Sequence, residues 1–282
     1  MVAGVQPLAN ALPQESDLDF GVQLWVLRNL MARDFDGTLA QVAAIGITHV
    51  EFAGFFGRSA GQVRASLSRA GLRATGAHCI EAGDSDEDVQ RMIDFCGEAG
   101  IHYLIAAEPS RQIPSPHNDV FRHIELSDWQ WSANRFNSIG ARVRSAGMRF
   151  AYHNHNIDFL KYGKVVAFDE MLRITDPALV AIEFDIGNAE AAGIDPYPYF
   201  AKYPHRFELA HVKEWVPGYT PTFTIDFPRY APFGRGRENW SKLLATLRAQ
   251  GIRDVFIEQG ATAAGQELES VRQAYQYLRR SL

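Results

Sequence analysis

Eight short apolar segments alternating with amphipathic stretches, and a glycine that recurs where helix gives way to strand, predict a single-domain α/β protein folded as a (β/α)8 barrel. The segments GVQLWVL (21–27), THVEFA (48–53), RATGAHC (73–79), HYLIAA (102–107), MRFAYHNH (148–155), VAIEFDIGN (180–188), FELAHVKEW (207–215) and DVFIEQG (254–260) are near-continuous apolar runs. Strands buried on both faces, as in a parallel sheet covered by helices, read this way. In AIGIT, RAGLR, EAGIH, SAGMR and AQGIR a glycine precedes an apolar residue and a strand. Gly46, Gly71, Gly100, Gly147 and Gly251 are each expected to take the left-handed position that ends a helix. A doubly wound open sheet is the competing arrangement, but no G-x-G-x-x-G follows the first strand and eight units close naturally.

Taken in order, residues 1–19 come before this rhythm. They are weakly apolar, lack a basic n-region and carry Ala9-Asn10-Ala11, a small-x-small tripeptide like a signal-peptidase site. They read as a flexible N-terminal segment, either the remnant of an export signal or a plain floppy terminus. The expected location is accordingly cytoplasmic, with periplasmic export as the alternative. Residues 20–282 form the barrel. Helical periodicity follows the first strand at 36–46, the second at 59–71, the third at 85–100, the fourth at 127–147 and the seventh at 239–251, and a last helix closes the chain at 266–282. The loops SRQIPSPHNDVFRHIEL (110–126) and VPGYTPTFTIDFPRYAPFGRGR (216–237) are long for such a fold, and long loops usually cover a site.

The charge balance narrows the partners. A net charge of −5 offers no basic field for a polyanion, so nucleic acid is disfavoured and a neutral or weakly charged small molecule fits better. No apolar run approaches the roughly 18 residues of a membrane span. Cys79 and Cys96 lie in no CxxC pattern and read as buried free thiols, not as a disulfide framework or thiolate zinc site.

In such a barrel the active site lies at the C-terminal ends of the strands. Glu51, His78, Glu108, His153, His155, Asp185, Asn188, His211, Lys213, Glu214, Glu258 and Gln259 all fall there. In AYHNHN, alternation along a strand puts His153 and His155 on one face and Tyr152 and Asn154 on the other; His211 and Lys213 share a face likewise. Glu183 and Asp185 also point together, Asp185 nearer the mouth. His49, His102 and His205 read as structural histidines. Gathering several carboxylates and imidazoles at one mouth is costly without a cation, and a divalent metal offsets that best. Mixed nitrogen and oxygen ligands suit Mn, Zn, Co or Fe over Mg or Ca.

The ordered series GVQLW, VEFAGFFG, GAHC, AYHNHN, EFDIGN, Asp195-Pro196, AHVKEW, FGRGREN and FIEQG resembles the xylose isomerase-like TIM-barrel superfamily of sugar (phosphate) isomerases and epimerases, in its branch with a YHNH signature. The resemblance runs from Phe20 to the C-terminus. It implies a divalent metal held by Asp185, His211 and Glu258. On strand five, where most of the family has glutamate, this chain has His153, which is then the fourth ligand or a base beside the metal, with Asp158 or Glu51 as stand-in acidic ligands. The implied chemistry is abstraction of a proton next to a sugar carbonyl through an enediolate, with Glu258, His153 and Lys213 as catalytic groups. A lyase or dehydratase that eliminates from a keto sugar or inosose is the alternative. Substrate contacts are expected from His78, His155, Glu51, Asn188 and Trp25.

Several readings stay open at this level. Lys213 either stabilises an enediolate oxygen or phosphate, or pairs with Glu214 or Glu258. Trp25, Phe55, Phe56 and Trp215 are either a wall for a sugar ring or plain core. Arg235 and Arg237 either bind an anion or are solvated in a turn. A non-catalytic sugar-binding barrel would follow from an incomplete ligand set. The related abasic-site endonucleases hold three zinc ions and need a basic groove, and this chain has neither feature. Barrels of this kind often pair, so a homodimer is in keeping with the resemblance.

Overall fold

The structure, a computed structural model, describes residues 18–112, 123–261, 263 and 265–282. The leader-like residues 1–17 and most of the loop 110–126 lie outside the described residues. Eight parallel strands close a barrel: β1 (Asp19–Gln23), β2 (His49–Phe52), β3 (Arg73–His78), β4 (Tyr103–Ala106), β5 (Arg149–His153), β6 (Val180–Asp185), β7 (Phe207–Val212) and β8 (Asp254–Ile257). Each neighbours the next in sequence, and β8 pairs with β1 through Val22 opposite Ile257. No helix among the described residues is long and apolar enough to cross a membrane.

The helices start where the sequence offers a cap. Asp34, Ser59, Ser85 and Asn239 each accept a hydrogen bond from a backbone N–H in the first turn of the helix that follows. They stop at the repeated glycine: Gly46, Gly71, Gly100, Gly147 and Gly251 all have positive φ. Phe35–Ile45, Ala60–Ala70, Asp86–Ala99 and Trp240–Gln250 lie between such a cap and such a glycine, Leu126–Ser145 ends just before Gly147, and Glu267–Ser281 closes the chain.

Three details differ from expectation. Strand one ends at Gln23, because the Gln23 side chain accepts from the Trp25 backbone N–H at 3.0 Å and turns Leu24–Leu27 into a 3-10 helix. Strand five ends at His153; His155 is extended but caps the short turn Asn156–Phe159. Asn188 sits on a helix (Ile186–Ala191), not on strand six. Short helices at Arg28–Arg33, Ala167–Ile174 and Tyr197–Lys202, and a hairpin joining Lys161–Tyr162 to Val165–Val166, carried no clear signal in the sequence. They are too short for a helical period to register.

The main core fills the space between the outward strand faces and the helices, while Ile105, Ala151, Ala181, Leu209 and Phe256 form a separate cluster inside the barrel. Below it, buried His49 lies 3.3 Å from Asp19 and 3.4 Å from Asp254, and Arg73 bridges both carboxylates. This closes the N-terminal mouth as a salt-bridged plug, in keeping with a structural His49. Gly21 admits it, since a Cβ there would sit 2.7 Å from the His49 ring. The inner faces are thus polar at both ends of the apolar cluster, sealed by ion pairs below and open above.

Candidate active site

Continuing each inner face one step toward the C-terminal mouth brings Gln23, Glu51, His78, His153, Glu183, Asp185, His211, Lys213 and Glu258 together. Two register shifts help to aim them. One between Val50 and Glu51 sets Glu51 beside Gly76, and one between Ile182 and Glu183 sets Asp185 beside His211. Gly76 leaves room for the first: a Cβ there would stand 2.9 Å from Glu51 Oε1.

Two layers result. In the lower layer the fully buried Glu51 and Glu183 hold three imidazoles. Glu51 Oε2 lies 2.7 Å from His211 Nε2 and 2.9 Å from His78 Nε2, and it also accepts from Gln23 Nε2 at 2.7 Å. Glu183 Oε2 lies 3.0 Å from His153 Nδ1 and 3.0 Å from His78 Nε2. His153 and His211 thus each give one ring nitrogen to a buried carboxylate and turn the other toward the upper layer. In the upper layer His153 Nε2 points to Asp185 Oδ2 at 3.6 Å, and His211 Nδ1 lies 3.3 Å from Glu258 Oε2 and 3.9 Å from Asp185 Oδ2.

One ligand atom from each of His153, Asp185, His211 and Glu258 lies within 4.8 Å of the others. Asp185 Oδ2 is buried and accepts no aligned hydrogen bond, although the Lys213 ammonium stands 2.6 Å away as a charge contact. An unsatisfied carboxylate oxygen, two imidazole nitrogens turned toward it by buried carboxylates, and a second carboxylate fit a divalent cation. His78, His153, Glu183 and His211 form a second close group below. Its ring contacts run through Glu51 and Glu183, which suits them to orient the imidazoles.

The electrostatics follow from burial and these pairings. Burial opposes the charged form of His78, but Glu51 and Glu183 outweigh it and raise the group to about 9. His211 is raised well above its usual range against its burial, through Glu183 and Glu51. His153 is held neutral by burial and by the imidazoles beside it, and burial takes His155 down to about 4. Burial lifts Asp185 to about 6 against the pull of Lys213, whereas Lys213 and His211 overcome burial at Glu258 and keep it ionised.

Above the cluster opens a cavity of about 410 Å³. His78, Glu108, His153, His155 and Glu258 face it from the barrel, and Trp25, Ile225 and Phe227 form an apolar side. Trp25 is 51% exposed and has the Arg28 guanidinium over its ring, 4.3 Å from the centroid. His155 stays beside His153, ring centroids 5.0 Å apart, with Nδ1 2.6 Å from the Ala107 carbonyl.

Other expected residues stand elsewhere. Glu51 supports His211 and His78 from below and does not line the cavity, which is a correction to its reading as a substrate contact. Asn188, also read that way, is buried behind Lys213, whose Nζ donates to Asn188 Oδ1 at 3.1 Å. Asp158 is buried against the Tyr152 hydroxyl at 2.6 Å, on the face away from the ligands, and so is no stand-in. Glu214 accepts from Trp240 Nε1 and the Gly234 N–H, so Lys213 pairs with Glu258 and Asp185 instead. Trp215 is buried with its Nε1 on the Gly187 carbonyl, and Phe55 and Phe56 pack into the ring cluster of Phe35, Phe52 and Phe95. Arg235 and Arg237 are exposed. Gln23 and Glu183 were missed as site residues, although two-residue alternation toward the strand ends marks both. Cys79 and Cys96 are free, their sulfurs 3.9 Å apart.

A barrel closed at one end by a salt-bridged plug and opened at the other over a carboxylate and imidazole cluster matches a known family model, the xylose isomerase-like TIM barrel, over residues 39–281. The chain belongs to this family. A sugar phosphate isomerase/epimerase from Parabacteroides distasonis superposes with a TM-score of 0.74 at 22% identity, covering 93% of this chain and 98% of that one. A 3-keto-D-glucoside 4-epimerase from E. coli gives 0.65 at 14% identity, covering 94% and 100%. These likenesses show the family's fold. Among curated relatives, an inosose dehydratase from Clostridium botulinum is 27% identical over 128 residues, 44% of this chain and 42% of that protein. One from Geobacillus kaustophilus is 21% identical over 191 residues, 64% and 61%. The alignments thus span about half the length of these relatives.

Proposed function

We propose that this chain is a divalent-metal-dependent enzyme that removes a proton next to the carbonyl of a sugar or sugar derivative, most simply as an isomerase or epimerase. The observation that carries the reading is the pair of buried carboxylates that turn His153 Nε2 and His211 Nδ1 toward Asp185 and Glu258, directly beneath an open cavity. His153, Asp185, His211 and Glu258 would hold the ion. When bound it supplies Lewis acidity toward neighbouring carbonyl and hydroxyl oxygens of the sugar.

The remaining work belongs to the chain's own groups. Glu258 is ionised and cavity-facing, so its carboxylate is the base for the proton next to the carbonyl. His155, kept neutral by burial and with one nitrogen on the Ala107 carbonyl, faces the sugar from the other side. Lys213 places its positive charge beside Glu258 and favours the ionised form of that base. Trp25, Ile225 and Phe227 cover the apolar face of the ring and exclude water.

A second reading, elimination of water from a keto sugar or inosose, draws on the relatives named inosose dehydratase and on the Glu258 carboxylate sharing the cavity with the imidazoles of His153 and His155. A symmetric pair of carboxylates on opposite faces suits epimerisation; a carboxylate paired with an imidazole suits abstraction followed by loss of a neighbouring hydroxyl.

The test is elemental analysis of purified wild type, His153→Ala and Asp185→Ala, followed by incubation of the loaded protein with keto sugars and inososes in D2O. About one Mn, Zn, Co or Fe per chain, lost in both variants, together with deuterium entering the carbon next to the carbonyl, is the expected result. An isomerised or epimerised sugar of unchanged composition marks an isomerase or epimerase, and a product lighter by one water marks a lyase. A wild type that stays metal-free after metal addition would sink the scheme in favour of a binding barrel.

A further inference from the structure

We infer that Lys213 is the resident counter-cation of the ligand set, its ammonium paired with Asp185 and Glu258, two of the residues that would hold a divalent ion, so that metal uptake has to displace it. Nζ lies 2.6 Å from Asp185 Oδ2 and 2.5 Å from Glu258 Oε2, the same two oxygens that face His153 and His211. The residue is 5% exposed, so its charge is not shared with water.

The position is built into the fold. A Cβ on Gly187 would fall 2.0 Å from Lys213 Cγ and 2.8 Å from Cδ, so the lysine stem runs in the groove that this glycine leaves open. Trp215 Nε1 donates to the Gly187 carbonyl at 2.7 Å and holds that backbone against the stem. Asn188 Oδ1, 3.1 Å from Nζ, is an acceptor that can keep the ammonium once the carboxylates are taken.

The physical argument is one of exclusion. Two buried carboxylates without a cation are strongly unfavourable, and two cations on the same two oxygens are as well. Lysine therefore keeps the empty site assembled, and metal uptake exchanges its ion pairs for those of the ion. Lys213 consequently weakens metal binding while it stabilises the metal-free protein. This rests on the metal reading of the site.

The experiment is calorimetric titration of Mn²⁺ into metal-stripped wild type, Lys213→Met, Gly187→Ala and Asp185→Asn, with thermal melting of each with and without Mn²⁺. Lys213→Met is expected to bind Mn²⁺ at least tenfold more tightly than wild type, to melt lower when stripped, and to recover on Mn²⁺ addition. Gly187→Ala keeps the charge but crowds the stem out of its groove, and should also tighten binding; it decides the matter if Lys213→Met does not fold. Asp185→Asn should lose binding. Equal or weaker binding in both Lys213→Met and Gly187→Ala, with Asp185→Asn still defective, would overturn the inference and leave the metal site standing. If wild type itself takes up no Mn²⁺ and neither variant does, the metal reading fails and the inference goes with it.

Discussion

Glu51 and Glu183 do not line the cavity, yet each takes one nitrogen of an imidazole whose other nitrogen faces Asp185 or Glu258. Carboxylates in this position fix tautomer and ring orientation, and their loss in known metal sites costs about 10–100-fold in affinity. Glu183→Gln and Glu51→Gln, which keep shape but lose charge, should each weaken Mn²⁺ binding by about that factor. Unchanged affinity in a titration of both variants would show that the histidines need no such support. At this scale the sequence was legible wherever alternation along a strand applies. Asp185, His211 and Glu258 stand on the inner face near strand ends, and all three reach the upper layer. Alternation could not tell which of two inward carboxylates lies deeper: Glu51 was read as a substrate contact because its depth depends on the register of β2 against β3, which only pairing sets.

At the scale of elements, close approach imposes geometry that composition hides. The helix Leu126–Ser145 packs so tightly on the chain entering β6 that a Cβ on Gly140 would stand 2.4 Å from the Leu179 carbonyl oxygen. The obstacle is backbone, so it cannot rotate aside. Gly140→Ala is expected to destabilise by about 1–3 kcal/mol despite alanine's better helix propensity, read as a lower urea midpoint. A midpoint at or above wild type would mean that the helix shifts without cost. Helices with a cap at one end and a glycine at the other were legible because both signals are local. Tyr197–Lys202 and Ile186–Ala191 were not, since their apolar faces acquire meaning only against β6 and β7. The end of β1 was misplaced for a related reason: Gln23 folds back on its own backbone, and nothing in an apolar run announces that.

For the molecule as a whole, the barrel concentrates unfavourable burial at its C-terminal side, and the effect reaches beyond the cavity. Glu190, 6% exposed at the end of the helix Ile186–Ala191, is raised to about 9 by burial and by Glu238 beside it. An unfolded glutamate titrates near 4.5, so between that value and about 9 the native chain holds a proton that the unfolded chain has lost. Stability therefore falls as pH rises through this window. Glu190→Gln removes the penalty: melting should rise by at least about 2–4 °C at pH 8 and remain near wild type at pH 4. An equal effect at both pH values would point to packing instead of ionisation.

By itself the sequence determined that this chain has eight strands interleaved with helices, where the capped helices begin and end, and which inward residues crowd the strand ends. These follow from local chemistry: period, caps and left-handed glycines act within a few residues. The tertiary structure alone decided the vertical order of the cluster, with Glu51 and Glu183 below as orienting groups, Asp185 and Glu258 above, Glu258 facing the cavity, and Lys213 lying between Asp185 and Glu258. That order rests on strand register and on the space left by Gly76 and Gly187, and both are properties of chain segments far apart in sequence brought within a few ångströms of each other.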